Sequence, residues 1–172
     1  MKVYLCFMLI ILTGCSGKHG SPTLSDKLKM STAQAFLNGL KDSMIYQYNS
    51  VGSENEKQKV LDKYYDKLKT FLLHKPMDSI RVTIDEVTAK GFTVTTKTHF
   101  SSIEFGSKIT FKDSMPPRLD SIYKYAKSLQ PGSTVLLNLA FNGDFQIITP
   151  DSTTLLTFKI DAFPIPLQYA GK

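Results

Sequence analysis

The sequence predicts an α+β fold in which a helical hairpin over residues 31–75 packs on a five-stranded antiparallel β-barrel over residues 76–172, the two forming one globular unit. Three observations predict it. Apolar residues recur at helical spacing up to Pro76, and they alternate with polar ones at a period of two beyond it. A single amphipathic helical stretch, Arg118 to Leu129, separates the third alternating segment from the fourth.

In the first half, Ser31-Thr32-Ala33-Gln34 fits a capping box, and Ala33, Phe36, Leu37, Leu40, Met44 and Tyr48 follow as one stripe. Gly52 ends that segment. Ser53-Glu54-Asn55-Glu56 offers a second capping box, and Val60, Leu61, Tyr64, Leu68, Phe71 and Leu72 form a second stripe that Pro76 stops. Two helices joined by so short a link fold back on each other most simply as an antiparallel pair, with the Tyr and Phe of both stripes as core.

Beyond Pro76, Ile80, Val82 and Ile84 alternate with Arg81, Thr83 and Asp85 in a half-buried first strand. Phe92 to Phe100, dense in β-branched residues, makes the second, joined to the first as a hairpin through Ala89-Lys90-Gly91. Ile103, Phe105, Ile109 and Phe111 carry the third, with a bulge or bend expected at Gly106-Ser107. After Met115-Pro116-Pro117 the helix presents Leu119, Ile122, Tyr123, Ala126 and Leu129 on one face and closes on Pro131-Gly132. Val135, Leu137, Leu139 and Phe141 mark the fourth strand, with a turn expected at Asn142-Gly143-Asp144. Phe145 to Ile148 either extends that strand or pairs with it, and Leu156, Phe158, Ile160 and Ala162 mark the last.

Three strands, a helix and two strands is the element order of the OB-fold, a five-stranded, partly open barrel. On that order and on turn placement, residues 79–166 resemble the OB-like modules of exported bacterial proteins, including those grouped with anticodon-binding-like domains. The most telling passage is Ser128-Leu129-Gln130-Pro131-Gly132-Ser133-Thr134-Val135, where a helix ends in a Pro-Gly turn and enters a strand. A cystatin-like or other α+β sheet wrapped on the hairpin is the alternative.

The N-terminus reads as an address rather than as structure. Lys2 precedes an apolar run, Val3 to Leu12, of about ten residues, which is the charged and apolar portion of an export signal and too short for the roughly 20 residues of a membrane span. The run ends in Leu12-Thr13-Gly14-Cys15, which resembles the lipobox of bacterial lipoproteins. That resemblance implies a signal peptide over residues 1–14 cut before Cys15, a lipidated Cys15, and a flexible tether over residues 15–30. Several acyl chains hold a protein stably where one holds it marginally. Ser16 after the cysteine, with no acidic cluster following, implies the periplasmic face of the outer membrane. The remaining cysteine, Cys6, leaves with the signal, so the mature domain has neither a disulfide nor a catalytic or zinc-ligating thiol.

With 42% hydrophobic and 21% charged residues the chain is ordinary globular material, and its net charge of +6 suits either a solvated surface or contact with anionic groups. Catalytic and metal constellations are missing from the pattern. His19, His74 and His99 share no metal-ligand spacing, no Gly-x-Ser-x-Gly elbow occurs, and His74 is best placed as a favourable charge at a helix C-terminus. Asp85-Glu86 is the only adjacent acidic pair in the strand region; neighbours on a strand point to opposite faces, so it would converge only across a bulge.

A binding face is the stronger expectation. If Phe92, Val94, Ile109 and Phe111 point inward, Lys97, His99, Lys108 and Lys112 point outward among Thr93, Thr95 and Thr110. Such a face either receives an anionic ligand or serves only to discourage edge pairing. Nucleic acid is disfavoured because this register buries Phe92, Phe100, Phe105 and Phe111, leaving no aromatic platform for bases. The expected function is therefore non-catalytic binding or scaffolding by a membrane-anchored periplasmic lipoprotein that recognises a protein partner in an envelope assembly, with no cofactor. The alternatives are binding of an anionic glycan, lipid headgroup or oligonucleotide on the sheet face, and a small hydrolase with an unrecognised site.

Overall fold

The computed structural model describes residues 30–110, 117–149 and 156–166. The segments expected to be an export signal and a tether, residues 1–29 with Cys15 among them, and Phe111, Lys112 and the Met115-Pro116 pair lie outside the described residues.

Two helices come first. Ser31 caps α1 (Thr32–Ser50), its hydroxyl accepting the Gln34 N–H at 3.2 Å. The reciprocal half of the expected capping box does not form, because the Gln34 side chain is buried and turned toward the barrel. There it accepts the Arg81 N–H at 3.1 Å and donates to the Arg81 carbonyl at 3.4 Å. Pairing of β1 (Met77–Lys90) with β2 (Thr93–Phe100) begins only at Thr83, so Gln34 supplies Arg81 with the amide that a neighbouring strand would otherwise give. In α2 (Glu54–His74) the capping box is complete: Ser53 Oγ accepts the Glu56 N–H at 3.3 Å, and the Glu56 carboxylate accepts the Ser53 N–H at 3.4 Å. The Ser53 hydroxyl, which lies 2.8 Å from Glu56 Oε2, and then the Ser53 N–H hold the Glu56 carboxyl below its ordinary pKa.

The two helices run side by side in opposite directions. Phe36 near the start of α1 stacks on Phe71 in the last turns of α2 at 4.4 Å, and Lys63 donates to Gln47 at 3.0 Å. Leu37, Leu40 and Met44 of α1 and Tyr64, Leu68 and Leu72 of α2 join the strands' Ile80, Ile84, Ile103 and Phe158 in one core cluster. Phe36, expected in that stripe, stays partly exposed at the helix–helix seam.

The strands close into a barrel in the order β1-β2-β3-β5-β4, with β3 spanning Ile103–Thr110, β4 Thr134–Ile148 and β5 Thr157–Ile165. Four of the seams are antiparallel, whereas β3 and β5 pair in parallel over Ile103–Gly106 and Phe158–Asp161. The fully antiparallel barrel that the sequence suggested is thus corrected to a mixed one, for a geometric reason. Alternating directions cannot close around a ring with an odd number of strands, so one seam must be parallel. The segment from β3 to β5, which contains α3 (Pro117–Ser128) and β4, supplies the long crossover that a parallel seam needs.

Inward-facing positions follow the predicted period: Ile80, Val82 and Ile84 in β1, Val94 and Phe100 in β2, Ile103 and Phe105 in β3, Phe158, Ile160 and Ala162 in β5. Ile122, Tyr123 and Ala126 of α3 pack with Val94, Ile109 and Phe163, covering the end of the barrel where β2 begins and β3 ends. Asn142-Gly143-Asp144, expected as a turn, is instead an irregularity within one long β4. Its register slips against β5 between Phe141 and Phe145, with Gly143 at φ 102°. None of the described helices is long and apolar enough to cross a membrane.

Candidate functional site: a charged cleft on the outer face of the barrel

The site begins with one extra residue. The β1–β2 register runs Ile84 opposite Thr98 and then Glu86 opposite Lys97, leaving Asp85 unmatched as a β-bulge. A regular strand would send Asp85 and Glu86 to opposite faces; across the bulge both meet outward side chains of β2. The Asp85 carboxylate lies 2.7 and 2.8 Å from His99 Nδ1, and Glu86 Oε2 lies 2.6 Å from Lys97 Nζ. The Glu86 hydrogen bond and charge raise the Lys97 pKa above its ordinary value. The bulge expected at Gly106-Ser107 is therefore found in β1 instead, and β3 pairs with β2 without interruption.

That unbroken pairing lines up two outward rows. Glu86, Lys97, Gly106 and Asp161 are successive partners across β1, β2, β3 and β5. His99, Glu104, Lys159 and Gln146 are successive partners across β2, β3, β5 and β4. Between these rows lies a cleft of about 350 Å³, whose walls include Asp85, Lys97, Glu104, Asp144, Lys159 and Asp161. Gly106 also lines it. A Cβ added at Gly106 would meet only ordinary contacts, Thr96 O at 3.6 Å and Lys97 Cγ at 3.9 Å, so the absence of a side chain is not a steric necessity.

Electrostatically the cleft is the reverse of a simple basic face. Among the described residues four carboxylates line it against two ammonium groups. Lys97 is taken by Glu86, and Lys159 lies 3.6 Å from Glu104. Asp161 accepts from Asn142 Nδ2 at 3.0 Å through Oδ2, while its other oxygen, Oδ1, is buried with no hydrogen-bond partner among the described residues. Among the described residues no group of three His, Cys, Asp or Glu side chains is arranged to hold a metal ion.

The four residues singled out from the sequence divide. Lys97 and His99 come together on this face, each against a carboxylate. Lys108 lies toward the α3 end, in a separate cleft of about 290 Å³ with Thr88, Lys90, Thr93 and Thr95 and, among the described residues, no acidic residue in its lining. Lys112 lies outside the described residues. Phe92, expected inside, is 46% exposed, because β2 starts at Thr93 and Gly91-Phe92 forms the tight β1–β2 turn. Phe100 and Phe105 are buried as expected. Sequence reasoning missed Glu104, Asp144, Lys159 and Asp161. Their only local signal was the Asp85-Glu86 pair, which needed the bulge to become legible.

No protein-family model, no curated protein and no solved structure matches this chain.

Proposed function

We propose that the protein is a non-catalytic binding module of the bacterial cell envelope, lipid-anchored through Cys15 on the periplasmic face of the outer membrane, which recognises a basic segment of a protein partner in the cleft around Gly106. The observation that carries the partner's chemistry is the excess of carboxylates in that cleft. Both of its lysines have acidic neighbours, and Asp144 and Asp161 have no cationic partner among the described residues. Lys or Arg side chains of a partner would complement those two carboxylates. The barrel is further read as an OB-type module. The β1-β2-β3-β5-β4 order and the position of α3 between β3 and β4 support this, and such modules commonly bind on the face of their second and third strands.

The anchor and the cleft are tested separately. Labelled palmitate should be incorporated by the wild type and not by Cys15→Ala; persistent labelling of the variant would refute the lipid assignment. In membranes carrying the wild type, crosslinking should capture a protein partner that Asp144→Lys/Glu104→Lys no longer captures. Equal capture by both would remove the cleft from the partner-binding role.

A second reading has its own observation. Among the described residues the cleft of Lys90 and Lys108 carries three threonine hydroxyls and no carboxylate, which suits an anionic glycan or lipid headgroup. Lys90→Glu/Lys108→Glu should abolish salt-sensitive anion binding there, whereas Lys97→Glu/Lys112→Glu would abolish it if the face anticipated from sequence were responsible.

A further inference from the structure

Two hairpin turns of this barrel are built alike but filled differently. Each has two residues, Gly91-Phe92 between β1 and β2 and Ser101-Ser102 between β2 and β3, and the first residue of each is left-handed, Gly91 at φ 57° and Ser101 at φ 52°. Glycine adopts that conformation without strain, and a serine there needs a compensating contact. Ser101 has one: its Oγ accepts a hydrogen bond from Lys41 Nζ at 2.9 Å.

Lys41 is the more unusual partner. It lies on α1, and its side chain is only 8% exposed. An ammonium group has three donors, and Ser101 takes one. Among the described residues the nearest carboxylate, Asp42, is 3.6 Å away and 70% exposed, too far for a hydrogen bond and too well hydrated to compensate a buried cation. A cleft of about 450 Å³ opens beside the pair. Ile45, Tyr48 and Leu156 give it apolar walls, and Asn49 and Ser102 stand with Ser101 and Lys41 as its polar groups. An apolar hollow with a few convergent polar groups is the usual form of a small-molecule site.

We propose that Lys41 and Ser101 form a second binding site, where α1 meets the β2–β3 turn, for a small monocarboxylate with an apolar body. The carboxylate takes the free Lys41 donors and the serine hydroxyl, and the body lies along Ile45, Tyr48 and Leu156. One ammonium beside neutral hydroxyls balances a single negative charge, which favours a carboxylate over a doubly charged phosphate. The site is separate from the cleft around Gly106 and does not depend on lipidation or on a protein partner.

Calorimetric titration of the full chain with hexanoate tests it, with hexanamide as the neutral counterpart and inorganic phosphate as the bare anion. Hexanoate should bind saturably and hexanamide should not. Lys41→Met should weaken hexanoate at least about tenfold, since a hydrogen bond to a charged group is lost. Lys41→Arg should retain most of the affinity, Ser101→Gly should weaken it severalfold while relaxing the turn, and Lys97→Met should leave it unchanged. If Lys41→Met does not fold, as judged by circular dichroism, Ser101→Gly carries the test. The proposal is overturned if the wild type takes up no hexanoate saturably, if hexanamide or phosphate binds as well, or if folded Lys41→Met or Ser101→Gly keeps the wild-type affinity.

Discussion

Lys41 and Lys97 both hold an oxygen at hydrogen-bond distance, 2.9 Å to Ser101 and 2.6 Å to Glu86, yet they belong to opposite electrostatic regimes. Lys97 is 61% exposed on the barrel's outer face, where water already solvates the charge and a carboxylate adds little. Lys41, on the buried side of α1, has a neutral hydroxyl for its hydrogen-bond partner and only the well-exposed Asp42 carboxylate at 3.6 Å, where a poorly balanced charge is costly. Partner distance does not separate the two; burial does. The same contrast divides the buried seam between α1 and the barrel, held by Gln34 and Lys41, from the outer face around Gly106, which is rich in charges and poor in energetic consequence.

The largest effect is expected at the seam. Gln34→Leu would leave the Arg81 N–H and carbonyl without the side chain that bonds them, in a position where Gln34 itself is 7% exposed. Orphaned backbone groups of this kind cost about 1–3 kcal/mol each, so the variant, which orphans two, should lose at least about 2 kcal/mol in urea unfolding. A loss near zero would mean that water reaches Arg81 freely and that the seam is no drier than the outer face.

Lys41→Met sharpens the contrast from the other side. If the buried ammonium serves a ligand rather than the fold, replacing it with an apolar side chain of similar length should raise stability by about 1 kcal/mol in the absence of ligand. If Lys41 is instead a structural tie to Ser101, the variant should be destabilised by a similar amount. Urea midpoints of the two proteins, measured without added carboxylate, distinguish these signs.

Next comes the outer face, where function and stability should separate. Gly106 has a negative or extended backbone conformation, and a Cβ there would meet only ordinary van der Waals contacts, so Gly106→Leu should shift stability by no more than about 0.5 kcal/mol. The leucine would still occupy the cleft and abolish partner crosslinking. A large loss of stability would show that the space is needed by the fold.

How much of this could be read from the residues follows the same divide. Period-two burial in Ile80-Val82-Ile84 and in Phe158-Ile160-Ala162, and the helical stripes with Leu37 and Leu68, were legible because a buried apolar face leaves a periodic trace in sequence. The parallel β3–β5 seam was not, since it follows from closure of the ring and from no local pattern. Gln34 looked like half a capping box because its real partner, Arg81, is far along the chain. The outer face was half legible: Lys97 and His99 were picked out by alternation, but their acidic partners depended on whether Asp85 was bulged, and a single extra residue in a strand leaves no mark in the periodicity. The Lys41 site had no signal at all, because a lysine within a helical stripe is indistinguishable from a solvated one until the β2–β3 turn is brought against it.

The smallest effect is expected from Lys97 and Glu86, and its dependence on conditions is more informative than its size. Glu86 raises the Lys97 pKa above its ordinary value. A group whose pKa is higher folded than unfolded stabilises the fold while it is protonated in both states, and that contribution fades as pH rises through the folded value. The pair should therefore contribute its full, small amount at neutral pH and lose it as pH rises into the alkaline range, through the raised Lys97 value. Glu56 supplies the opposite sign within the same molecule: its pKa is lowered by the cap on α2, so its contribution is present at neutral pH and disappears as acid protonates it below the ordinary carboxylate range. Thermal scans across pH should thus show Glu86→Gln converging on the wild type in alkali, where Glu56→Gln still differs from it, and Glu56→Gln converging only in acid. Added salt should shrink the Glu86 difference, since both partners are exposed to mobile ions. A Glu86 effect that survives high salt would place this ion pair in the same dry regime as Lys41 and erase the distinction between the two regions.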